Sequence, residues 1–274
     1  MQKIAVAGGV LEAEVIDLTP PWLPNPPTVI FHHGIGTDMD IWSGWLPHLL
    51  DTFRIVRFNM RGFGGSSLPA QCGGGVDAFS GDLIAVADAT GTDRFHVVAE
   101  SFGGMVSLNT AILHPDRVSS ATLLSTPHRG DAIEPLAGWS ALSRSASGMR
   151  QWNDEMMEGR FAPGSICTAS KAWFRAVQER TPPDLLQELA QTIGRTDLSA
   201  GLSGLRVPVL LISGDASPYV GVAQVAALKS LLPAARVQIL AGVRHGIAFS
   251  HPAQSACAFR EFALTLRESP SPQL

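Results

Sequence analysis

Six short apolar runs recur along the chain, and they alternate with longer segments of helical periodicity. The runs cover residues 28–32, 53–59, 95–99, 118–125, 208–213 and 235–240. Strands that are buried on both faces have such continuous apolar sequences, and intervening helices are typical of parallel sheets. Residues 80–90 and 102–114 show the helical pattern between runs. The pattern therefore predicts an α/β fold with a mostly parallel central sheet and helices on both faces.

One long segment interrupts this alternation. Residues 128–200 contain no convincing strand, but they carry three of the six tryptophans, Trp139, Trp152 and Trp173. These aromatic side chains form either the core of a helical insertion or the inner face of a lid over an active site. We expect residues 1–127 and 201–274 to form the two parts of one core. We expect residues 128–200 to form a helical lid whose three tryptophans contact the substrate.

Composition narrows the function classes. The chain has 274 residues, of which 45% are hydrophobic and 16% charged, enough for one large core. The net charge is −4 without a basic cluster, which argues against a nucleic-acid partner or an anionic membrane surface. No run reaches the ~18 apolar residues of a membrane span. Cys72, Cys167 and Cys257 are too widely separated to indicate a disulfide framework or a metal site. We expect a cytoplasmic enzyme that acts on a small molecule.

A serine between a predicted strand and a predicted helix is the candidate nucleophile. Ala99-Glu100-Ser101-Phe102-Gly103 directly follows the third apolar run and opens a helical pattern. A nucleophile elbow needs this context and needs small residues two positions before and after the serine, here Ala99 and Gly103. The N–H of Phe102, unpaired at the helix start, can hold the oxyanion that forms on attack.

Two histidines near the end of the chain compete for the role of general base. His245 lies in the loop that follows the last apolar run, from which it can reach the serine. His251 lies at the start of the final helix beside Pro252. We expect His245 to be the base.

A second group of polar residues follows the first apolar run. Here His33 either contacts the substrate or bonds the local backbone, and we expect a substrate contact. A metal site made of His32, His33, Asp38 and Asp40 is the alternative, but no further ligand cluster supports it. We expect no metal.

Four segments of this chain resemble the α/β-hydrolase superfamily, and among its members the 3-oxoadipate enol-lactonase-like group and related esterases. They are FHHGIGTDMDIWSGWLPHL, RIVRFNMRGFGGSS, ESFGGMVSLNTAILHPDRV and RVPVLLISGD. The resemblance covers nearly the whole chain, and it implies an α/β-hydrolase fold that needs no cofactor. It also implies that the N–H of Ile35 is the second oxyanion donor.

The position of the triad acid departs from the family's pattern. Ser217 stands where the family normally has the acid, and Ser125 and Thr126 stand at the position that some relatives use. Asp215, two residues before Ser217, could reach the histidine from a rearranged turn, and Asp131 is a more distant candidate. A third alternative is that no carboxylate contacts the histidine. We expect Asp215 to be the acid.

Three functions remain open at this point. The resemblance favours hydrolysis of a small, largely apolar ester or lactone through a Ser101 acyl-enzyme. Cofactor-free chemistry of a non-hydrolytic kind (an oxygenase, lyase or cyclase) needs the histidine base more than the nucleophile, so a weakened triad would suit it. A ligand receptor on the same fold is the third alternative. The elbow carries no aspartate, which argues against a haloalkane dehalogenase or an epoxide hydrolase.

Overall fold

The central sheet contains all six predicted strands. The structure is a computed structural model that describes residues 1–68, 74–133 and 136–268; Cys72 and residues 269–274 lie outside them. Within the described residues the strands are β1 Gln2–Val6, β2 Gly9–Ile16, β3 Thr28–His32, β4 Arg54–Phe58, β5 Phe95–Glu100, β6 Val118–Leu124, β7 Val209–Gly214 and β8 Arg236–Leu240. Strands β3 to β8 match the predicted apolar runs to within one residue at each end.

The strand order is β1-β2-β4-β3-β5-β6-β7-β8. Every neighbouring pair from β4 to β8 is parallel, whereas β1 pairs antiparallel with β2 and β2 antiparallel with β4. The sequence did not predict this edge hairpin. Strand β2 buries Leu11 and Ala13 while the residues between and beside them are half-buried or exposed, so it lacks a continuous apolar run.

Helices surround this sheet. The described residues form a 3-10 helix, Met39–His48, and the following α-helices: α1 Gly75–Ala89, α2 Phe102–Leu113, α3 Leu136–Leu142, α4 Ala146–Arg160, α5 Thr168–Gln178, α6 Pro183–Arg195, α7 Ser199–Leu202, α8 Val222–Leu231, α9 Ile247–Ser250 and α10 Pro252–Glu268. In this part of the chain no helix is long and apolar enough to cross a membrane.

The core consists of two clusters, one on each face of the sheet. Helices α1, α2 and α8 contribute Phe79, Met105 and Leu228 to the first cluster. The 3-10 helix and α10 contribute Trp45 and Phe259 to the second. Because both faces are covered, the central strand β5 is buried along its whole length, as its apolar sequence predicts. The fold is therefore the predicted α/β arrangement.

Four helices, α3 to α6, lie between β6 and α7 in the segment for which the sequence predicts no strand. An isolated antiparallel bridge between Arg129 and Asp197 closes the base of this segment. Helices α3, α4 and α6 contribute Trp139, Met156 and Ile193 to the wall of a cavity at the carboxyl ends of the central strands. That a lid moves here stays a prediction.

Candidate active site

Ser101 occupies a sharp turn between β5 and α2. Its backbone has φ 58° and ψ −121°, a conformation that costs an L-residue about 1–3 kcal/mol. Its N–H donates to the carbonyl of Leu124 at 2.9 Å, which ties the turn to the neighbouring strand. This strained turn directs the serine side chain out of the sheet, and Ser101 lines the cavity at the strand ends.

Two glycines allow the loop that follows β3 to approach this turn. A Cβ on Gly103 would lie 2.5 Å from the carbonyl oxygen of His33, so only glycine permits α2 to start against that loop. A Cβ on Gly34 would lie 3.2 Å from Cβ of Ser101. The loop that follows β3 therefore passes directly beside the serine.

Two backbone N–H groups are free to bind an oxyanion in this place. Ile35 follows Gly34 in the loop, Phe102 begins α2, and both residues line the same cavity as Ser101. Neither N–H donates a hydrogen bond to any described residue. Buried backbone donors are almost always paired, so two unpaired donors beside one serine are suited to a charge that develops during a reaction.

His245 lies in the loop between β8 and α9 and lines the cavity together with Ser101. It is buried, and its N–H donates to the carbonyl of Gly159 in α4 at 3.2 Å. The ring of Tyr219 packs edge-on against the imidazole, with the ring centres 5.0 Å apart. Burial, and then the charge of Arg160, lower the pKa of His245 to about 3, so the imidazole is neutral at neutral pH.

The carboxylate expected beside His245 lies elsewhere. Asp215 is exposed, and its Oδ1 accepts a hydrogen bond of 2.7 Å from the N–H of Gly242 in the loop after β8. No hydrogen bond joins it to His245. Instead, Ser217 Oγ lies 3.2 Å from His245 Nδ1. The assignment of Asp215 as the acid is therefore wrong: its carboxylate stays solvated and closes a turn, while Ser217 points inward.

Ser217 also receives hydrogen bonds from its own turn. The N–H groups of Tyr219 and Val220 lie 3.3 and 3.1 Å from Ser217 Oγ. A hydroxyl accepts two hydrogen bonds and donates one, so the hydroxyl proton is left for Nδ1 of His245. That arrangement places the imidazole proton on Nε2, whereas a general base needs Nε2 free. The hydrogen bonding at Ser217 thus favours the unreactive tautomer.

The cavity around Ser101 and His245 is small. It encloses about 20 Å³, which is room for about one water molecule. Its wall is mostly apolar, with Met105, Pro127 and Val220 facing the residues of the insertion. Trp139 and Tyr219 also line a neighbouring open groove of about 400 Å³.

Comparison with known proteins identifies the family of the fold. The family model for the α/β-hydrolase fold matches residues 27–252. The chain belongs to that family. It is 22% identical to 3-oxoadipate enol-lactonase 1 of Acinetobacter baylyi over 209 residues, 71% of this chain and 73% of that protein. It is 38% identical over 106 residues to the dihydrolipoyllysine-residue acetyltransferase component of an acetoin cleaving system from Cupriavidus necator, which is 39% of this chain but only 28% of that protein.

A solved structure extends the likeness to the whole fold. The enol-lactonase of Burkholderia xenovorans superposes with a TM-score of 0.83 at 23% identity, covering 98% of this chain and 100% of that one. The resemblance of this α/β-hydrolase to enol-lactonases, expected from four sequence segments, is confirmed.

His33 does not line the cavity that contains Ser101 in this α/β-hydrolase. Its Nδ1–H donates to the carbonyl of Gly34 at 2.8 Å, and its Nε2 accepts from the N–H of Met60 at 2.9 Å. Burial lowers the pKa of His33 to about 4, so the ring stays neutral and both nitrogens are used by backbone groups. The expected substrate contact is therefore wrong. Within the described residues, no three side chains of metal-ligating type cluster here or elsewhere.

The three tryptophans of the insertion occupy different places. Trp139 lines the cavity. Trp152 is fully buried behind it, with the ring centres 6.1 Å apart, and does not reach the cavity. Trp173 is 37% exposed and stacks on Phe249, with the ring centres 5.4 Å apart. Substrate contacts are thus geometrically possible for Trp139 alone, and the expectation is wrong for Trp152 and Trp173.

Sequence reasoning missed a buried arginine. The guanidinium of Arg160, at the end of α4, donates to the backbone carbonyl of Ile35 and to the side-chain oxygen of Gln178. It lies 5.2 Å from the ring centre of Phe174. Burial lowers the pKa of Arg160 to about 10, which still leaves it charged at neutral pH. A single arginine in a helical segment carries no motif, so no sequence signal could have identified it.

Sequence reasoning also missed a buried carboxyl next to the nucleophile. Glu100 accepts a hydrogen bond of 2.8 Å from the N–H of Ala248 in α9. Burial raises its pKa to about 7. The side chain thereby connects the nucleophile turn to the helix that follows His245. Its place beside Ser101 was visible in the sequence, but its inward orientation was not.

Proposed function

We propose that this α/β-hydrolase cleaves a small ester or lactone through an acyl-enzyme on Ser101. The observation that carries the proposal is one small cavity that is lined by a strained serine, a neutral buried histidine and two residues with unpaired N–H groups. Each of these is a separate requirement of acyl transfer, and chance seldom brings them together.

The proposed steps follow from this arrangement. Ser101 Oγ attacks the carbonyl carbon while His245 accepts the hydroxyl proton, and the N–H groups of Ile35 and Phe102 hold the oxyanion. His245 then gives the proton to the leaving alkoxide, and the acyl group remains on the serine. Water attacks the acyl-enzyme with His245 again as base, which releases the acid and restores the serine.

The remaining finer assignments are part of this proposal. The mostly apolar wall suits a largely apolar acyl chain or lactone ring, and the enol-lactonases named above make a lactone the first substrate class to test. Residues 128–200 act as the lid, with Trp139 as its substrate contact. Because Ser217 replaces the acid, we expect turnover well below that of an enzyme with a complete triad.

An active-site probe tests the proposal directly. A fluorophosphonate should label Ser101, and Ser101→Ala should lose both labelling and ester turnover. Ser107→Ala is the matched control: it removes a buried hydroxyl that donates to the carbonyl of Gly103 one turn along α2. This control should keep both properties. Normal turnover in a folded Ser101→Ala variant would refute the acyl-enzyme.

One observation favours a second function. Because His245 is bonded to a serine instead of a carboxylate, cofactor-free chemistry that uses only the histidine is the alternative. In that case Ser101 would resist the fluorophosphonate, and His245→Ala alone would abolish turnover. Ser101→Ala and His245→Ala together therefore separate the two functions, because only the acyl-enzyme requires both side chains.

A further inference from the structure

The loop that carries His245 is hydrogen-bonded to α4, a helix of the insertion. Residues 244–246 of this loop lie between β8 and α9. The backbone N–H of His245 donates to the carbonyl of Gly159 at 3.2 Å, and the N–H of Gly246 donates to the carbonyl of Arg160 at 3.1 Å. Both accepting carbonyls belong to the last turn of α4. The backbone beside the proposed base is therefore bonded to the insertion.

The side chain of Arg244 completes this contact. Its guanidinium donates to the carbonyl of Glu158, and its Nη1 lies 3.5 Å from the carbonyl oxygen of Phe161. The last four carbonyls of an α-helix have no partner inside the helix. In α4 the carbonyl of Met157 accepts from the N–H of Phe161 at 3.2 Å, and the next three carbonyls accept from residues 244–246. The histidine loop thus satisfies the end of α4.

Close packing supports the same contact from both sides. A Cβ on Gly159 would overlap the hydroxyl oxygen of Tyr219, and a Cβ on Gly246 would lie 2.8 Å from the ring of Phe161. Glycine inside a helix is less favourable than alanine, but only glycine allows this approach. The hydroxyl of Tyr219 donates to the carbonyl of Glu155 at 3.1 Å, so the ring that packs against the imidazole is also bonded to α4.

The chain that follows the histidine loop is bonded to the core instead. The N–H of Ala248 donates to the carboxyl of Glu100 at the end of β5, at 2.8 Å. The carbonyl of Ala248 accepts from Nε1 of Trp45 in the 3-10 helix, at 2.9 Å. Loss of the contact with α4 would therefore release residues 244–246 while α9 keeps its place.

We propose that Arg244 is a positioning residue for His245: it fixes the histidine loop to the end of α4, so that this helix holds the imidazole in place. The inference rests on the proposed acyl-enzyme at Ser101, in which His245 is the base. The side chain of Arg244 lines two outer grooves beside α4 and not the cavity that contains Ser101. It therefore acts through the loop and not on the reacting atoms.

Amide hydrogen exchange reports the state of the loop without any substrate. Arg244→Met keeps the apolar part of the side chain and removes its donors. The amides of His245 and Gly246 should then exchange at least about tenfold faster, since hydrogen bonds from a charged group contribute that much to the opening equilibrium. The amide of Ala248, which is bonded to Glu100, should keep its wild-type rate. Unchanged exchange at His245 and Gly246 would overturn the inference.

Hydrolysis of p-nitrophenyl acetate shows whether the position of the loop matters for the reaction. Arg244→Met should lower kcat by about tenfold and leave KM unchanged, because the cavity keeps its wall while the imidazole is misplaced. Arg244→Lys still donates to the carbonyls and should restore most of kcat. A rise in KM at unchanged kcat would show that the side chain only shapes the outer grooves, which would contradict the positioning role.

Two further variants control for other effects on α4. Arg175→Met is the matched control, because Arg175 also bonds α4, but through the exposed side chain of Asp154 at 2.7 Å. Its exchange and kcat should equal those of the wild type, and a loss equal to that of Arg244→Met would refute a specific role. Gly246→Ala keeps Arg244 but forces the loop away from the ring of Phe161. It should show the same fall in kcat, and wild-type exchange and kcat in this variant would also refute the inference.

The two readouts separate this inference from the proposed function. If the wild type does not hydrolyse the ester but Arg244→Met exchanges faster at His245 and Gly246, the positioning of the loop stands and the acyl-enzyme fails. If the wild type hydrolyses the ester and Arg244→Met exchanges faster without any loss of kcat, the acyl-enzyme stands and the positioning role fails.

Discussion

Replacing Ser217 by aspartate should increase esterase activity, which is the reverse of what most active-site substitutions do. Ser217 Oγ contacts His245 Nδ1 at 3.2 Å and accepts from two backbone N–H groups of its own turn. A carboxylate in this place has about four acceptor positions, so it can keep both backbone donors and still accept the Nδ1 proton. The imidazole then has Nε2 free, and the carboxylate stabilises the imidazolium.

The size of the increase follows from two opposing effects. Neutralising a triad acid costs about 10⁴ in kcat in a well-studied serine protease, which sets the upper limit of the gain. Ser217 is only 8% exposed, so the new carboxylate loses most of its hydration, although three donors compensate it. We therefore expect kcat to rise by about a hundredfold, equivalent to about 2.7 kcal/mol of transition-state stabilisation.

Ester hydrolysis by the wild type and three variants tests this reasoning. Ser217→Asn has nearly the shape of the aspartate without its charge, and it should give a much smaller increase. Ser217→Ala removes the hydroxyl proton that occupies Nδ1, and its activity should not fall. The reasoning is refuted if folded Ser217→Asp is no faster than the wild type. A fall of more than about tenfold in Ser217→Ala would show that the hydroxyl accepts from the imidazole.

The remaining predictions concern acid stability and the lid. Three histidines are held neutral by burial, with pKa values of about 3, 4 and 3 (His32, His33 and His245). Below pH ~6.5 the unfolded chain protonates them and the folded chain does not, so each lowers stability by about 1.4 kcal/mol per pH unit as pH falls. Burial raises the pKa of Glu100 to about 7, so the folded chain binds its proton first and offsets about a third of the combined loss of stability between pH 7 and pH 4.5. Urea unfolding at pH 7.5 and pH 5.5 measures the net loss of stability, and equal unfolding midpoints at the two pH values would contradict the prediction. Trp139→Ala should change KM for an apolar ester severalfold, whereas exposed Trp173→Ala should leave it unchanged; equal effects would argue against Trp139 as a substrate contact.

The sequence alone determined the fold and singled out the candidate nucleophile. Continuous apolar runs specify strands that are buried on both faces, and helical periodicity between them specifies a parallel sheet, so six strands were located within a residue. Ser101 could be singled out because its turn needs small neighbours at fixed positions, which is a local requirement written in five consecutive residues. The sequence did not predict the hairpin of β1 and β2, because β2 buries only one face and its residues alternate between buried and less buried positions instead of forming a continuous apolar run.

Only the tertiary structure decided which side chains meet His245 and which line the cavity. Ser217 and Asp215 are two residues apart in one turn, and the turn's hydrogen bonds, not its sequence, direct the first inward and the second into solvent. Arg160 donates from α4 to the carbonyl of Ile35 in the loop after β3, across a separation of 125 residues along the chain. Contacts of this kind depend on how helices pack over the strand ends, and no local pattern encodes them. The local sequence therefore specified the strained turn that carries the candidate nucleophile, and the packing specified the chemical environment of that turn.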